Sequence, residues 1–181
     1  MWLTPEERER VARAWAKWRG WYRGDIPRGF GYPNHESRSH MPSDLERYVF
    51  SSTYAWVGDG TSPRLRDFPH SLYPDHRNVR RAVREGYFSD RFRTQAAFQP
   101  ATTITSHIHK DGHYYIHFDP TQARSLTVRE AARAQTFPDS YIFLGPRTEQ
   151  FRQVGNAVPP YLAAQVARIV MDVLRQTKRV P

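Results

Sequence analysis

Apolar positions recur at helical spacing near both ends of the chain and at strand-like spacing in its middle. Near the N-terminus, Val11, Trp15, Trp18 and Tyr22 fall on one helical face. Thr4, Pro5 and Glu7 ahead of them form a start signal: an N-cap hydroxyl, a proline at the first helical position and a reciprocal carboxylate. Gly24 and Pro27 set the expected end, and the aromatic stripe is read as packing surface. The run from Tyr48 to Val57 is β-prone and predicts one buried strand or two, closed by the turn Gly58-Asp59-Gly60. Turn signals near Pro63, Pro69 and Pro74 mark irregular chain, and a short helix is expected after Asn78, through Val79, Ala82 and Val83 to Gly86.

Residues 102–109 and 113–118 alternate around Lys110-Asp111-Gly112, which predicts a β-hairpin. Ile104, Ile108, Tyr114, Ile116 and Phe118 would form its apolar face. Thr103, Thr105, His107, His109, His113, Tyr115 and His117 would line a polar, potentially positive one. The last third reads as helical. Thr127 caps one helix with Glu130 three residues on, and Pro138 closes it; a second spans Thr148 to Val154. The last helix begins at Pro159-Pro160 and carries the stripe Leu162, Val166, Ile169, Val170, Val173 and Leu174, read as core or interface packing.

Composition narrows the function. The 181 residues carry 27 Lys+Arg against 18 Asp+Glu, a formal charge of +9, which favours a polyanionic partner. Mean hydropathy is −0.76, and no apolar run approaches membrane-spanning length. No signal-peptide pattern opens the chain. There is no cysteine, so thiolate zinc sites, disulfides and a cysteine nucleophile are excluded within these residues. Four histidines, at 107, 109, 113 and 117, would need to converge to hold a metal. Neither cysteine nor clustered carboxylate supports that, and no metal is expected.

Two stretches are the most specific. One is Arg124-Ser-Leu-Thr-Val-Arg-Glu-Ala-Ala-Arg-Ala-Gln-Thr-Phe-Pro-Asp139, a capped helix carrying the basic residues Arg129 and Arg133. The other is Gln153-Val-Gly-Asn-Ala-Val-Pro-Pro-Tyr-Leu-Ala163. In it, Gly155 permits a tight backbone path, and Asn156 offers a donor and an acceptor at the expected bend before a helix. A helix N-terminus so preceded suits an anionic or carboxylate group.

In order and spacing, these two stretches resemble the last two sequence blocks of the cytosine-5 DNA methyltransferase family. Pro100 to Pro120, with Thr103-Ile104 and Lys110-Asp111-Gly112, is similar to the end of that family's target-recognition domain. The resemblance runs from about residue 100 to 172, extends more loosely over 37–99, and is not traced through the first helix. The family's Pro-Cys nucleophile motif, its Glu-Asn-Val motif, its glycine-rich Phe-x-Gly-x-Gly cofactor loop and its Gln-x-Arg-x-Arg block are absent from these residues. All belong to the N-terminal half of such enzymes. Gly29-Phe30-Gly31 is no substitute for the cofactor loop, because no strand precedes it.

The resemblance implies an α+β fold: a small mixed target-recognition lobe with the β-hairpin, followed by C-terminal helices that complete a Rossmann-like methyltransferase domain. The implied divisions are 1–36, an N-terminal helix and linker; 37–120, the DNA-reading region; and 121–181, the C-terminal helical part. The implied reaction transfers a methyl group from S-adenosylmethionine to carbon 5 of cytosine in duplex DNA, in a restriction-modification setting. A partner chain or missing N-terminal half would supply the thiolate and most of the cofactor site, so the chain alone is expected to be inactive. Asn156, Ala157 and Val158 are the implied cofactor-side residues. Candidate DNA contacts are Arg38, Arg64, Arg66, Arg77, Arg91, Arg93, His107, His109 and Lys110. A cytoplasmic location and a prokaryotic or phage origin are expected. A stand-alone, non-catalytic DNA-binding protein and an inactive remnant are the alternatives.

Overall fold

The computed structural model describes residues 4–23, 31–75, 78–86 and 90–177. Arg77, Gly24 and Pro27 lie outside the described residues, as do the side chains of Val11, Trp15 and Trp18. Six α-helices occur in the described residues: α1 Pro5–Arg23, α2 Pro42–Val57, α3 Val79–Glu85, α4 Val128–Ala134, α5 Arg147–Asn156 and α6 Pro160–Thr177. Short 3-10 turns occupy Leu65–Asp67, His70–Leu72 and Ser106–His109.

Both expected capping boxes form. The Glu7 N–H donates to Thr4 Oγ1 at 3.2 Å, and the Thr4 N–H donates to Glu7 Oε2 at 2.7 Å. The Glu130 N–H donates to Thr127 Oγ1 at 3.2 Å, and the Thr127 N–H donates to Glu130 Oε2 at 2.8 Å. Each box satisfies two helix N-terminal donors that lack an intrahelical partner. Gly86 ends α3 in the left-handed region, φ 75°.

The run expected as a strand from Tyr48 to Val57 is instead most of α2. Its buried positions are Asp44, Arg47, Tyr48, Ser51, Ser52 and Ala55, a helical face. Small hydroxyls hold the central places on that face, so a scan for apolar residues alone misses the period. Ser51 Oγ hydrogen-bonds Thr94 Oγ1 at 2.9 Å, and Ser52 Oγ donates to the His117 carbonyl at 2.9 Å. Packing thus overrides the β propensity of the run.

The hairpin is likewise corrected. Among the described residues there are no β-strands, only isolated bridges of Ile116 with Thr94 and with Ser125. Residues 113–117 pair on one side with 93–95 and on the other with 124–126, through bonds such as Ile116 N–H to the Arg93 carbonyl (2.9 Å) and Leu126 N–H to the Tyr115 carbonyl (2.8 Å). Several polar groups of 102–105 go to side chains instead, while the Thr105 carbonyl accepts from the Ile108 N–H. The Thr105 N–H donates to the Tyr115 hydroxyl and that hydroxyl donates to the Thr103 carbonyl, both at 3.1 Å. The Thr102 N–H donates to Gln95 Oε1 at 3.0 Å. A side chain therefore occupies the bonding positions a sister strand would need. As a result, Tyr115, His113 and His117, expected on a polar face, are buried, and Phe118 is exposed.

Two apolar cores form. One joins Ile104, Ile108, Tyr115, Leu126, Val128, Phe137, Phe143, Phe151 and Val154, bringing α4, α5 and the Ser106–His109 turn together. The other joins Tyr48, Leu65, Phe68, Phe92 and Ile116 beneath α2. The C-terminal end of α1 is tied to the first core's margin. Trp21 Nε1 donates to the Thr136 carbonyl at 2.7 Å, and the Asp139 N–H donates to the Tyr22 carbonyl at 2.7 Å.

α6 has no buried residue. Its N-terminus is held by Tyr161, whose N–H donates to Thr136 Oγ1 at 3.1 Å and whose ring meets Trp21 edge-on at 5.3 Å. Beyond that, its apolar stripe is open. One 18-residue window within Arg147–Thr177 has a mean hydropathy of 1.2, enough by length and composition alone for a membrane-spanning segment. No uninterrupted apolar run underlies that average, because Gln165, Arg168 and Asp172 interrupt the stretch.

Candidate nucleic-acid interface and cofactor-side helix

Gly155 stands inside α5, not at a bend, which corrects the expectation drawn from sequence. A Cβ there would fall well inside 3.0 Å of the Thr105 carbonyl group and the Ser106 nitrogen. The glycine therefore lets α5 rest directly on the backbone of the Ser106–His109 turn. Asn156, the next residue, is the last of α5 and is exposed. Ala157 is half-buried on the first core, and Val158 is exposed ahead of α6. This arrangement leaves a carboxamide and two backbone units at an open edge, able to meet a polar ligand.

On the other side of the contact the turn presents basic groups. His107 and Lys110 are exposed and His109 is half-buried. His109 Nδ1 hydrogen-bonds the Ser106 carbonyl. The turn is tied down at both ends. Arg38 donates through its terminal nitrogens to the Ile108 carbonyl (2.8 Å) and the Lys110 carbonyl (3.1 Å), and its guanidinium lies 4.0 Å over the Phe151 ring of α5. Asp111 accepts from Arg91 at 3.1 Å and from the His113 N–H at 3.1 Å.

The remaining arginines separate by what they touch. Arg64 and Arg66 are exposed beside the Leu65–Asp67 turn, and Arg66 lies 3.9 Å from Asp67. Arg91 is engaged with Asp111, and Arg93 with Asp90. Among the described residues, no group of three His, Asp or Glu side chains is placed to hold a metal ion.

Behind the turn runs a buried polar chain. Tyr48 hydroxyl and His113 Nδ1 are 2.8 Å apart; His40 lies edge-on to the Tyr48 ring, with its Nε2 at 3.2 Å from Ser125 Oγ. Burial, then the Arg38 charge, holds the His40 imidazole down to about 4. Burial also lowers His113, against the pull of Asp111 and Asp44. Burial raises the Tyr48 phenol. All three are therefore neutral near neutral pH.

The Arg124–Asp139 stretch is scaffold. Arg124 grips Glu130 through two 2.7 Å bonds. Burial works against the Glu130 carboxylate, but the Arg124 and Thr127 bonds overcome it and hold the group at about 2. Arg133 grips buried Asp139 through two 2.8 Å bonds. Arg129 is 0% exposed. It donates to the carbonyls of Pro33 (3.0 Å), Pro138 (3.1 Å) and Tyr141.

Sequence reasoning missed one further anchor, Asn34. It sits at φ 61°, donates to the Phe143 carbonyl and to Gln150 Oε1, and accepts from the Phe143 N–H. An asparagine after Tyr-Pro is a fair left-handed signal, but its distant partners leave no local trace.

The sequence model described as "C-5 cytosine-specific DNA methylase" matches residues 36–171. The chain belongs to this family. The methylase match thus starts after α1 and takes in the Arg38 contacts, both cores and most of α6. Among relatives, the type II methyltransferase M.Bpa9945I of Bacillus paralicheniformis is 44% identical over 80% of this chain and 30% of its own length. The type II methyltransferase M1.HphI of Haemophilus parahaemolyticus is 38% identical over 76% of this chain and 31% of its own. DNA (cytosine-5)-methyltransferase 2 of Arabidopsis thaliana is 53% identical over 32% of this chain and 4% of its own. The chain thus spans about a third of the length of these two bacterial methylases.

Proposed function

We propose that this chain is the DNA-recognition and cofactor-pocket-completing part of a DNA (cytosine-5)-methyltransferase. One observation carries the reading: a member of the cytosine-5 methylase family has no cysteine among its 181 residues. Attack on carbon 6 of cytosine needs a thiolate, which another polypeptide segment must bring. Residues 37–120 read the DNA, and residues 121–181 complete a Rossmann-like methyltransferase domain. S-adenosylmethionine supplies the methyl group when bound. Asn156 fits its amino-acid end, because the carboxamide is exposed at the end of α5. Backbone of Ala157 and Val158 would continue that wall. Arg64, Arg66, His107, His109 and Lys110 supply positive surface for phosphates, while the target cytosine is flipped out toward the catalytic segment. The open stripe of α6 packs on that segment. The reaction takes place in the cytoplasm.

The test is to co-express the chain with a polypeptide carrying the Pro-Cys, Glu-Asn-Val and glycine-rich segments. Labelled methyl transfer to duplex DNA is then followed. The mixture is expected to methylate and the purified chain alone is not. Robust turnover by the chain alone overturns the division of labour. In the assembled enzyme, Asn156→Ala is expected to weaken cofactor binding more than DNA binding; equal loss of both makes Asn156 structural only.

A further inference from the structure

Arg38 reads from sequence as one more cation for the DNA backbone, but its surroundings assign it other work. Both terminal nitrogens donate to carbonyls, those of Ile108 and Lys110. Its Nε is buried and without a partner. Its face covers Phe151, a fully buried residue of α5. Burial, the largest influence on the guanidinium, lowers its pKa. Two of its five N–H groups are thus committed to main chain and a third is buried, so the fork is oriented by the protein, with one N–H left on each terminal nitrogen.

The partners matter more than the bonds. The two carbonyls belong to the stretch that carries His107, His109 and Lys110. The ring beneath belongs to the helix that carries Gly155 and Asn156. Gly112, φ 79°, continues the packing, since a Cβ there would lie 3.6 Å from the Arg38 guanidinium carbon and closer still to Ser125. Arg38 thus joins the basic turn to α5 from one side, while the Gly155 contact joins them from the other.

We infer that Arg38 is a positioning residue, which sets the DNA-facing orientation of His107, His109 and Lys110 relative to the cofactor-side helix. The inference rests on the recognition reading above. Planarity is essential to the role: one rigid fork reaches two carbonyls while stacking on a ring, and a lysine ammonium does only part of this.

The experiment measures binding of the purified chain to a labelled mixed-sequence duplex across a salt series, for wild type, Arg38→Lys and Arg38→Gln. Imidazole NMR signals of His107 and His109 are followed in parallel, with Phe68 and Phe92 as reporters of the second core. Both variants are expected to bind about tenfold more weakly, roughly one decade in Kd, with the log–log salt slope unchanged. The His107 and His109 signals move while the Phe68 and Phe92 signals hold. A slope shallower by about 0.9, restored by Arg38→Lys, makes Arg38 a phosphate contact and overturns the inference. Equal movement of all four reporters makes it a general stability residue and overturns it as well. If wild type itself fails to bind the duplex, the recognition reading falls, and the NMR comparison alone decides whether Arg38 orients the turn.

Discussion

Gly155 of α5 rests against the backbone of Thr105 with no room for a methyl group between them. The obstacle is main chain on both sides, so no rotamer change relieves it. Gly155→Ala must push α5 away from the Ser106–His109 turn. Overpacking in cores costs about 1–3 kcal/mol, and a backbone partner puts this site at the upper end. Urea unfolding of the chain should show a lowered midpoint with unchanged slope. An unchanged midpoint would mean the turn yields without cost.

Arg129 holds three carbonyls from 96 residues upstream to 12 downstream and is fully buried. Its charge is stabilised by oxygen dipoles with no carboxylate bonded to it. Arg129→Met removes the buried charge but leaves the Pro33, Pro138 and Tyr141 carbonyls short of donors. A loss of about 2–4 kcal/mol is expected, read as a lower thermal midpoint. Arg129→Lys should recover less than half, since an ammonium cannot span the three acceptors. Full recovery would reduce the site to a single point charge.

What was legible in the sequence follows from how local each signal is. The Thr4–Glu7 and Thr127–Glu130 boxes are complete within four residues, and both form as read. The last helix was legible too, because an apolar stripe needs no partner to be seen. The α2 face was not, because Ser51 and Ser52 are core residues only through Thr94 and His117, far along the chain. The hairpin failed for a similar reason: Tyr115 satisfies Thr103 and Thr105, so an alternating pattern never becomes a ladder. At the candidate site, the motif singled out Asn156 but placed it at a bend where α5 instead continues to it, and the contacts of Arg38 with Ile108, Lys110 and Phe151 are tertiary and leave no local trace.

Acid should weaken the chain in two separable steps. The His40 imidazole is held at about 4, below its ordinary 6.5, so only the unfolded form takes up its proton between those values. Stability present above 6.5 is lost as pH falls toward 4. His113 and His117 are lowered as well and act in the same direction. Glu130, held at about 2 against 4.5, adds stability that is full above 4.5 and lost as pH falls toward 2. Its complete contribution is on the order of 3 kcal/mol. His40→Gln should flatten the upper step and leave the lower one; Glu130→Gln should do the reverse. Denaturant midpoints measured across pH check both, and an unaltered upper step in His40→Gln would assign it to the other histidines.

The apolar face of α6 should govern how the chain behaves alone. Leu162, Val166, Ile169, Val170, Val173 and Leu174 are each half-exposed or more, on a helix that, among the described residues, is held at its N-terminus. Water contact over so continuous a stripe is unfavourable, so two copies should cover one another when no catalytic segment is present. Sedimentation velocity should show association that grows with protein concentration. Val166→Glu with Val170→Lys should return the chain to a monomer, because both positions lie on the open stripe and neither packs inside. The same pair should leave the thermal midpoint of the dilute chain nearly unchanged but abolish complementation by the catalytic segment. A wild-type chain that stays monodisperse at high concentration, with complementation indifferent to both substitutions, would mean that α6 contacts neither a second copy nor the catalytic segment.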